Sequence, residues 1–166
     1  YYYLKQYDKA IRDLKKMTEF YDGNYYALNA LGLCYYQQGH YKKAVHYFEQ
    51  TTTISSLEVY TFNLALSYYK NNQFNLALRY FKELGEARRN QPNYNVGHTR
   101  VLMALKQYEK ARNWLDASIK LSPYVREYYE LSSELYTKVG EKEKAAKELK
   151  IAHKITGEAL NFDPVF

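Results

Sequence analysis

The sequence has few cysteines, prolines and glycines, and it lacks a long apolar run. Its single cysteine, Cys34, cannot form an intrachain disulfide, so an oxidising compartment is neither required nor excluded. Three prolines and seven glycines, none in runs, leave no flexible linker or low-complexity segment. No apolar stretch reaches the length of about 18 residues that a membrane span needs.

Tyrosine is the abundant residue: 21 of the 166 residues are tyrosine, and aromatic residues make up 17% of the chain. Tyrosine buries a large ring while its hydroxyl keeps contact with water or a partner, which suits thin helical layers and binding surfaces. The net charge is +6. Such a charge is compatible with nucleic-acid or anionic-surface binding, but we favour a solvated, lysine-rich outer face as its explanation.

The chain repeats itself in steps of 33 or 34 residues. One column of the repeat is alanine, a second holds large apolar residues, two more hold mostly aromatic residues, and a fifth holds small residues. In that order the columns are Ala10, Ala44, Ala77, Ala111 and Ala145; Leu14, Phe48, Phe81, Leu115 and Leu149; Tyr7, Tyr41, Phe74, Tyr108 and Lys142; Tyr1, Tyr35, Tyr68, Leu102 and Tyr136; Gly32, Ala65, Thr99 and Ser133.

Within each copy the apolar residues recur at intervals of three and four, which predicts amphipathic helices. Polar breaks at residues 37–40, 70–73, 104–107 and 138–142 divide each copy into helix, tight turn and helix. The small residue of the first helix and the alanine of the second allow close approach, and large residues fill the surrounding space. One such pair cannot bury its outer face, so the copies are expected to stack.

This pattern resembles the tetratricopeptide repeat, whose period is 34 residues. The copy at 25–57 carries it most clearly, in Leu28, Leu31, Gly32, Tyr35, Ala44 and Phe48. The copy at 92–125 departs in its first helix, where Asn95, His98 and Thr99 stand at the large, leucine and small positions; an alternative register uses Val96 and Gly97.

The resemblance implies an all-α fold, an α-solenoid of stacked antiparallel helix pairs that forms a right-handed superhelix with a concave groove. We expect a single array over residues 1–166, with a half repeat at 1–24, repeats at 25–57, 58–91, 92–125 and 126–159, and a C-terminal cap at 160–166. The segment after the last repeat is expected either to extend the final helix past Gly157 or to form a capping turn ended by Pro164.

In this family the first helices line the groove, and the resemblance assigns its inward positions to this chain. The residues predicted to contact a peptide are Tyr26, Asn29, Leu33, Tyr36, Phe62, Asn63, Leu66, Tyr69, Arg100 and Glu130. Aromatic anchors carry much of the energy of an interface, and asparagine offers both a donor and an acceptor to a peptide backbone. Packing between neighbouring copies is the alternative role for the tyrosines.

No arrangement for catalysis or for a cofactor stands out in the sequence. Cys34 lies within an apolar helix and is expected to be an inert, packed thiol. The four histidines are scattered over different copies, and only His46 has nearby helix partners, Glu49 and Gln50, as a surface pair would. Glu127, Glu130 and Glu134 share one helical face, which is typical of a solvated or ligand-contacting stripe. We therefore expect no enzyme activity, no cofactor and no metal.

The leading prediction is a protein–protein interaction scaffold that binds a peptide or helical segment of another protein in the groove. One alternative is nucleic-acid or anionic-surface binding by the basic outer face, which we favour less because the groove is not basic. Another is that the chain is the binding region of a larger assembly factor or enzyme.

Self-association is expected if the N-terminal half repeat exposes Ile11 and Leu14. The chain begins at Tyr1 rather than methionine, as a fragment would. We expect a cytoplasmic location, with the periplasm left open.

Overall fold

The computed structural model describes residues 6–85, 88, 90–157, 159–160 and 163–164. Within these ranges the chain forms nine helices and no strand, so the predicted all-α class and helical-repeat solenoid are confirmed. The predictions for Tyr1 and for residues 161, 162, 165 and 166 of the cap lie outside the described residues. The helices are α1 (Tyr7–Phe20), α2 (Tyr25–Gln37), α3 (Tyr41–Ile54), α4 (Glu58–Lys70), α5 (Phe74–Leu84), α6 (Pro92–Ala104), α7 (Tyr108–Leu121), α8 (Arg126–Lys138) and α9 (Lys142–Lys154).

The chain divides into two compact units, Tyr1–Tyr80 with Asp163–Phe166 and Phe81–Phe162. In the first unit α2 packs against α1 and α3, and α3 packs against α4. In the second unit α6 packs against α7 and α8, and α8 packs against α7 and α9. The division falls inside α5, whereas each predicted copy from 25–57 to 126–159 contains one helix pair.

The half repeat α1 is packed rather than left open. Ala10 and Ile11 are buried and Leu14 is half-buried, because α2 covers the inner face of α1. The expectation that Ile11 would be exposed is therefore wrong. The large apolar side chains that do remain exposed on α1 are Met17 and Phe20, near its C-terminal end.

The alanine and aromatic columns form the core of each pair. Ala44 and Phe48 are fully buried in the first unit, and Ala111 and Leu115 have the same role in the second. The packing around Gly32 shows why the first helix of a pair carries a small residue at this position. A Cβ atom added there would lie 2.6 Å from the ring of Phe48, closer than carbon atoms can approach.

The four turns inside the repeats share one geometry. The residue after the helix cap has a positive φ, at Gly39 (77°), Asn72 (60°), Lys106 (57°) and Gly140 (86°). The next backbone N–H returns to a carbonyl five residues earlier, as His40 does to Tyr35 over 2.9 Å, which satisfies carbonyls at the helix end. The predicted polar breaks are therefore turns of a single type.

The chain leaves its helical repeat at Lys154, where α9 ends. The alternative in which the last helix continues past Gly157 is therefore wrong. In the second unit the backbone N–H of Leu160 donates to the carboxylate of Glu127 over 2.6 Å. In the first unit Pro164 is buried. None of the described helices has the length and apolar character needed to cross a membrane.

Candidate functional site

The first helices of the first unit, α2 and α4, present three accessible rings at predicted peptide-contact positions. Tyr26 begins the row and is 66% exposed, with its ring 4.3 Å from that of Tyr25. Phe62 and Tyr69 on α4 are half-buried. Partly covered rings of this kind suit ligand anchoring, because they are held in place while one side stays open to solvent.

The two predicted asparagines are buried and bond to each other. Nδ2 of Asn63 donates to Oδ1 of Asn29 over 3.0 Å, and the two residues are 0% and 3% exposed. An amide without a partner is costly in such surroundings, whereas the paired amides tie α2 to α4. In this structure the asparagines join neighbouring copies.

Three further members of the predicted set are also buried. Leu33 and Leu66 lie at the centres of α2 and α4 and are fully covered. Tyr36 is only 4% exposed, although it stands at an inward position near the end of α2. Half of the predicted set therefore lies below the surface.

Tyr36 belongs to a group of aromatic side chains at the C-terminal ends of α2 and α4. Its ring meets that of Tyr41 edge-on at 5.3 Å, while Tyr69 contacts Phe74 at 5.9 Å. The buried hydroxyl of Tyr36 has no hydrogen-bond partner among the described residues. Burial raises the pKa of Tyr36, and the carboxylate of Asp163 raises it further. This hydroxyl is thus a buried proton donor without an acceptor among the described residues.

In the second unit the two predicted contact residues have different surroundings. Arg100 is half-buried on α6. Glu130 is exposed on α8, and its carboxylate lies 3.4 Å from Nε of Arg126. Glu134 lies 3.6 Å from Nζ of Lys138. These glutamates are therefore balanced by cations of the same helix, so the acidic stripe is weaker than the sequence indicates.

The first helix of the third copy has a polar core. Asn95 donates to the hydroxyl of Tyr128 over 2.9 Å and accepts from the indole N–H of Trp114 over 3.1 Å. The ring of His98 lies 4.1 Å from that of Trp114 and stacks on Phe81. The positions of Asn95, His98 and Thr99 are thus core positions, and Val96 and Gly97 of the alternative register are buried as well. The single tryptophan was the available signal, because an indole N–H that is buried needs an acceptor.

The residues considered for catalysis have ordinary structural roles. Cys34 is fully buried with a free thiol, and burial raises its pKa to about 11. The ring of His46 lies 3.0 Å from the side-chain nitrogen of Gln50, one helical turn away on the surface of α3. Within the described ranges no three side chains of the metal-binding types come together.

The basic residues are spread along the second helices of the repeats. Lys43 lies over the ring of Tyr35 at 5.2 Å, and Lys144 pairs with Glu141. The hydrogen bond from Lys144 lowers the pKa of Glu141. These two cations are therefore engaged with a neighbouring ring or carboxylate.

Comparison with known proteins identifies the repeat. Sequence models of the tetratricopeptide repeat match residues 25–55 and 62–126, together more than half of the chain. No curated protein sequence matches significantly.

Solved structures have the same fold at low sequence identity. Residues 41 to the end of MamA from Desulfovibrio magneticus RS-1 are 17% identical, with a TM-score of 0.81 over 90% of this chain and 85% of that one. MamA of AMB-1 is 20% identical, with a TM-score of 0.71 over 90% of this chain and 97% of that one. YrrB, described as a TPR protein with an unusual peptide-binding site, is 20% identical, with a TM-score of 0.76 over 92% of this chain and 79% of that one. From its repeat columns, its helix pairs and these matches, the chain belongs to the tetratricopeptide-repeat family.

Proposed function

We propose that the chain is a protein-interaction scaffold that binds an extended or helical segment of another protein along α2 and α4. The observation that carries this proposal is that Tyr26, Phe62 and Tyr69 stay accessible on α2 and α4, while Asn29 and Asn63 are buried and bonded to each other. The family is generally one of protein interaction, and YrrB is described as binding a peptide. Both points support the proposal.

The accessible rings favour a ligand with apolar or aromatic anchors. Truncation of such anchors at interface hot spots typically costs about 2 kcal/mol or more. The buried members Asn29, Leu33, Tyr36, Asn63 and Leu66 act in this proposal by holding the accessible rings in position. In the second unit, Arg100 and Glu130 supply polar contacts to a ligand on that part of the repeat.

We further propose that the chain catalyses no reaction itself. The alternative is that it forms the binding region of a larger assembly factor or enzyme. The expected compartment is the cytoplasm, where the thiol of Cys34 stays reduced.

Self-association is proposed between two copies of α1 through Met17 and Phe20, the large apolar side chains that stay exposed there. Light scattering that does not change with concentration would contradict it.

The direct test is to select short peptides that bind the chain and to measure their dissociation constants by fluorescence anisotropy. Phe62→Ala and Tyr69→Ala should each weaken a selected peptide by about tenfold or more, since each removes an anchor. Tyr124→Ala is the matched control, because Tyr124 is exposed in the loop before α8. Equal affinities for all variants would place the site elsewhere.

The same measurement separates this function from the nucleic-acid alternative. Peptide binding through apolar anchors should change little between about 50 and 200 mM salt, whereas binding through several phosphates falls by orders of magnitude. An oligonucleotide that binds tightly at low salt, and is lost at high salt, would favour the basic face instead.

A further inference from the structure

A cavity of about 340 Å³ lies in the first unit, between the C-terminal ends of α1 and α3 and the loop that leads into α2. Its volume is within the range of ligand sites, roughly 300–1,000 Å³. None of its described lining residues belongs to the predicted peptide-contact set on α2 and α4. The cavity is therefore a separate feature of the molecule, which the proposed function does not use.

The polar side chains of this cavity present hydrogen-bond acceptors. The hydroxyl of Thr18 donates to the carbonyl of Lys15 over 2.8 Å, and that of Thr53 donates to the carbonyl of Gln50 over 2.7 Å. These hydroxyl hydrogens are used within their own helices, so only oxygen lone pairs are left for a ligand. The carboxylate of Asp22 adds further acceptors, and it forms no hydrogen bond or ion pair within the described part of the chain.

The two helix ends at the cavity carry no cation of their own. Neither α1 nor α3 has a basic residue in its last turn, whereas α4, α7, α8 and α9 each have at least one there. The C-terminal end of a helix bears a partial negative charge, which a nearby cation stabilises. None of the described residues that line the cavity is lysine, arginine or histidine, so a cation must come from a ligand.

Two tyrosine rings also line the cavity. Tyr47 is half-buried and is held by Tyr35, which stacks on it at 5.4 Å, while Tyr21 is 69% exposed. Aromatic faces attract cations, and a planar guanidinium can also stack on them. Lys15, one helical turn before Thr18, interacts with the hydroxyl of Tyr35, which raises the pKa of the lysine, and it does not line the cavity.

The solvent-accessible part of the lining is partly apolar. Tyr21 and Ile54 both line the cavity and are 69% and 47% exposed, and Leu28 lines it as a buried residue. The aliphatic stem of an arginine packs along apolar side chains while its charged head reaches polar groups. Exposed apolar lining also suits apolar residues next to that arginine, which a protein segment has and a free small cation lacks.

We propose that this cavity is a second binding site, which takes an arginine side chain from a segment of a partner protein whose neighbouring residues are apolar. The guanidinium has five N–H donors and no acceptor, so it matches a lining that offers acceptors. In this arrangement it donates to Asp22 and to the hydroxyl oxygens of Thr18 and Thr53, and its plane stacks on a tyrosine ring. The flanking apolar residues contact Tyr21 and Ile54.

The test uses the full chain, isotope-labelled for NMR, and the peptide Leu-Arg-Leu with blocked termini as the probe. Saturable shifts are expected for the backbone amides of residues 21–24 and 50–54, and they give the dissociation constant. The peptide with citrulline in place of arginine has a similar shape without the charge, and should bind about fivefold or more weakly. Gly-Arg-Gly should bind several-fold more weakly than Leu-Arg-Leu, because it lacks the apolar neighbours.

Substitutions test the separate parts of the site. Asp22→Asn removes the charge from an exposed loop residue and should weaken Leu-Arg-Leu about fivefold or more, while the citrulline peptide is unaffected. Tyr21→Ala should weaken Leu-Arg-Leu several-fold, whereas Tyr21→Phe keeps the ring and should retain the affinity. Asp13→Asn is the matched control, because Asp13 is exposed on α1 and does not line the cavity. The amide spectrum itself establishes that each variant is folded.

The outcomes separate this inference from the proposed function. Equal affinities for the arginine and citrulline peptides, no saturable binding, or shifts outside residues 21–24 and 50–54 would overturn the arginine site. Equal affinities for Leu-Arg-Leu and Gly-Arg-Gly would assign the cavity to a lone guanidinium and overturn the choice of a protein segment. Phe62→Ala should leave the affinity for Leu-Arg-Leu unchanged. A loss in that variant would place the arginine peptide on α4, against this inference but in agreement with the proposed function.

Discussion

Asn63, the sixth residue of its repeat, donates a hydrogen bond to Asn29, the fifth residue of the preceding repeat, and both amides are buried. The repeat step between these two copies is 33 residues, so two adjacent columns of the sequence form a direct contact between α2 and α4. The pair supplies a buried polar contact between the two helices. Because each amide bonds to the other, replacing one asparagine is expected to affect stability differently from replacing both.

Asn63→Leu alone is expected to lower the free energy of unfolding by about 1–3 kcal/mol, because it leaves the Asn29 amide buried without its donor. Asn29→Leu with Asn63→Leu should cost less than the sum of the single changes, since no amide is then left unpaired. Urea unfolding of the four chains forms a double-mutant cycle. Additive free energies would show that the hydrogen bond contributes nothing to the coupling of the helices.

The intra-repeat turns give a second prediction. Lys106 adopts a positive φ of 57° at the position that glycine occupies in two of the other turns. A residue with a Cβ pays about 1 kcal/mol or more in this conformation, so Lys106→Gly should raise the melting temperature by a few degrees. Gly39→Ala, the reverse change at the equivalent position, should lower it by a similar amount. A change of the same sign in both variants would contradict the shared turn geometry.

The fold could be predicted because the repeat columns correspond to packing contacts. Ala44 and Phe48 recur in steps close to 34, and both are fully buried where the two helices of a pair meet. Leu149 is the exception: it occupies the same column as Phe48 but is 41% exposed, on the last helix. The repeat pattern predicts the helix pairs, yet it does not show which helix lacks a neighbouring helix to cover its apolar side chains.

The candidate site was less predictable. The inward positions identified the accessible rings of Phe62 and Tyr69, but Asn29 and Asn63 are buried against each other. Their adjacent columns were the available signal, since neighbouring inward positions of successive repeats face each other when copies stack. The burial of Pro164 could not be predicted at all, because that residue lies beyond the last periodic position.

Gly32 provides a third prediction. Its Cα faces the ring of Phe48, and any added side chain would overlap a ring that is itself completely buried. Gly32→Val should therefore lower the free energy of unfolding by about 1–3 kcal/mol through overpacking.

The control is Ala30→Val, on the half-buried side of the same helix, which introduces the same β-branched residue without the overlap. Urea midpoints for the two variants distinguish packing from helix propensity. Equal losses would mean that the valine backbone preference, rather than the close approach to Phe48, is responsible.

The last prediction concerns alkaline pH. Burial raises the pKa of the Cys34 thiol from its ordinary value of 9.0 to about 11 in the folded chain. Burial also raises the pKa values of Tyr36 and Tyr68. Between the unfolded and folded pKa values the folded chain retains protons that the unfolded chain releases. The free energy of unfolding is therefore fully present below pH 9 and falls as the pH rises toward 11.

Urea unfolding at about pH 8 and about pH 10 measures this slope, which each such group steepens by at most about 1.4 kcal/mol per pH unit. Cys34→Ala should flatten the slope, and only the slope is compared, because the smaller side chain lowers stability at every pH. Thiol labelling gives an independent measurement: the buried, protonated Cys34 should react only as fast as the chain opens. A pH-independent stability together with rapid labelling of the native chain would show that Cys34 is accessible in solution, and would place α2 in different surroundings from those described.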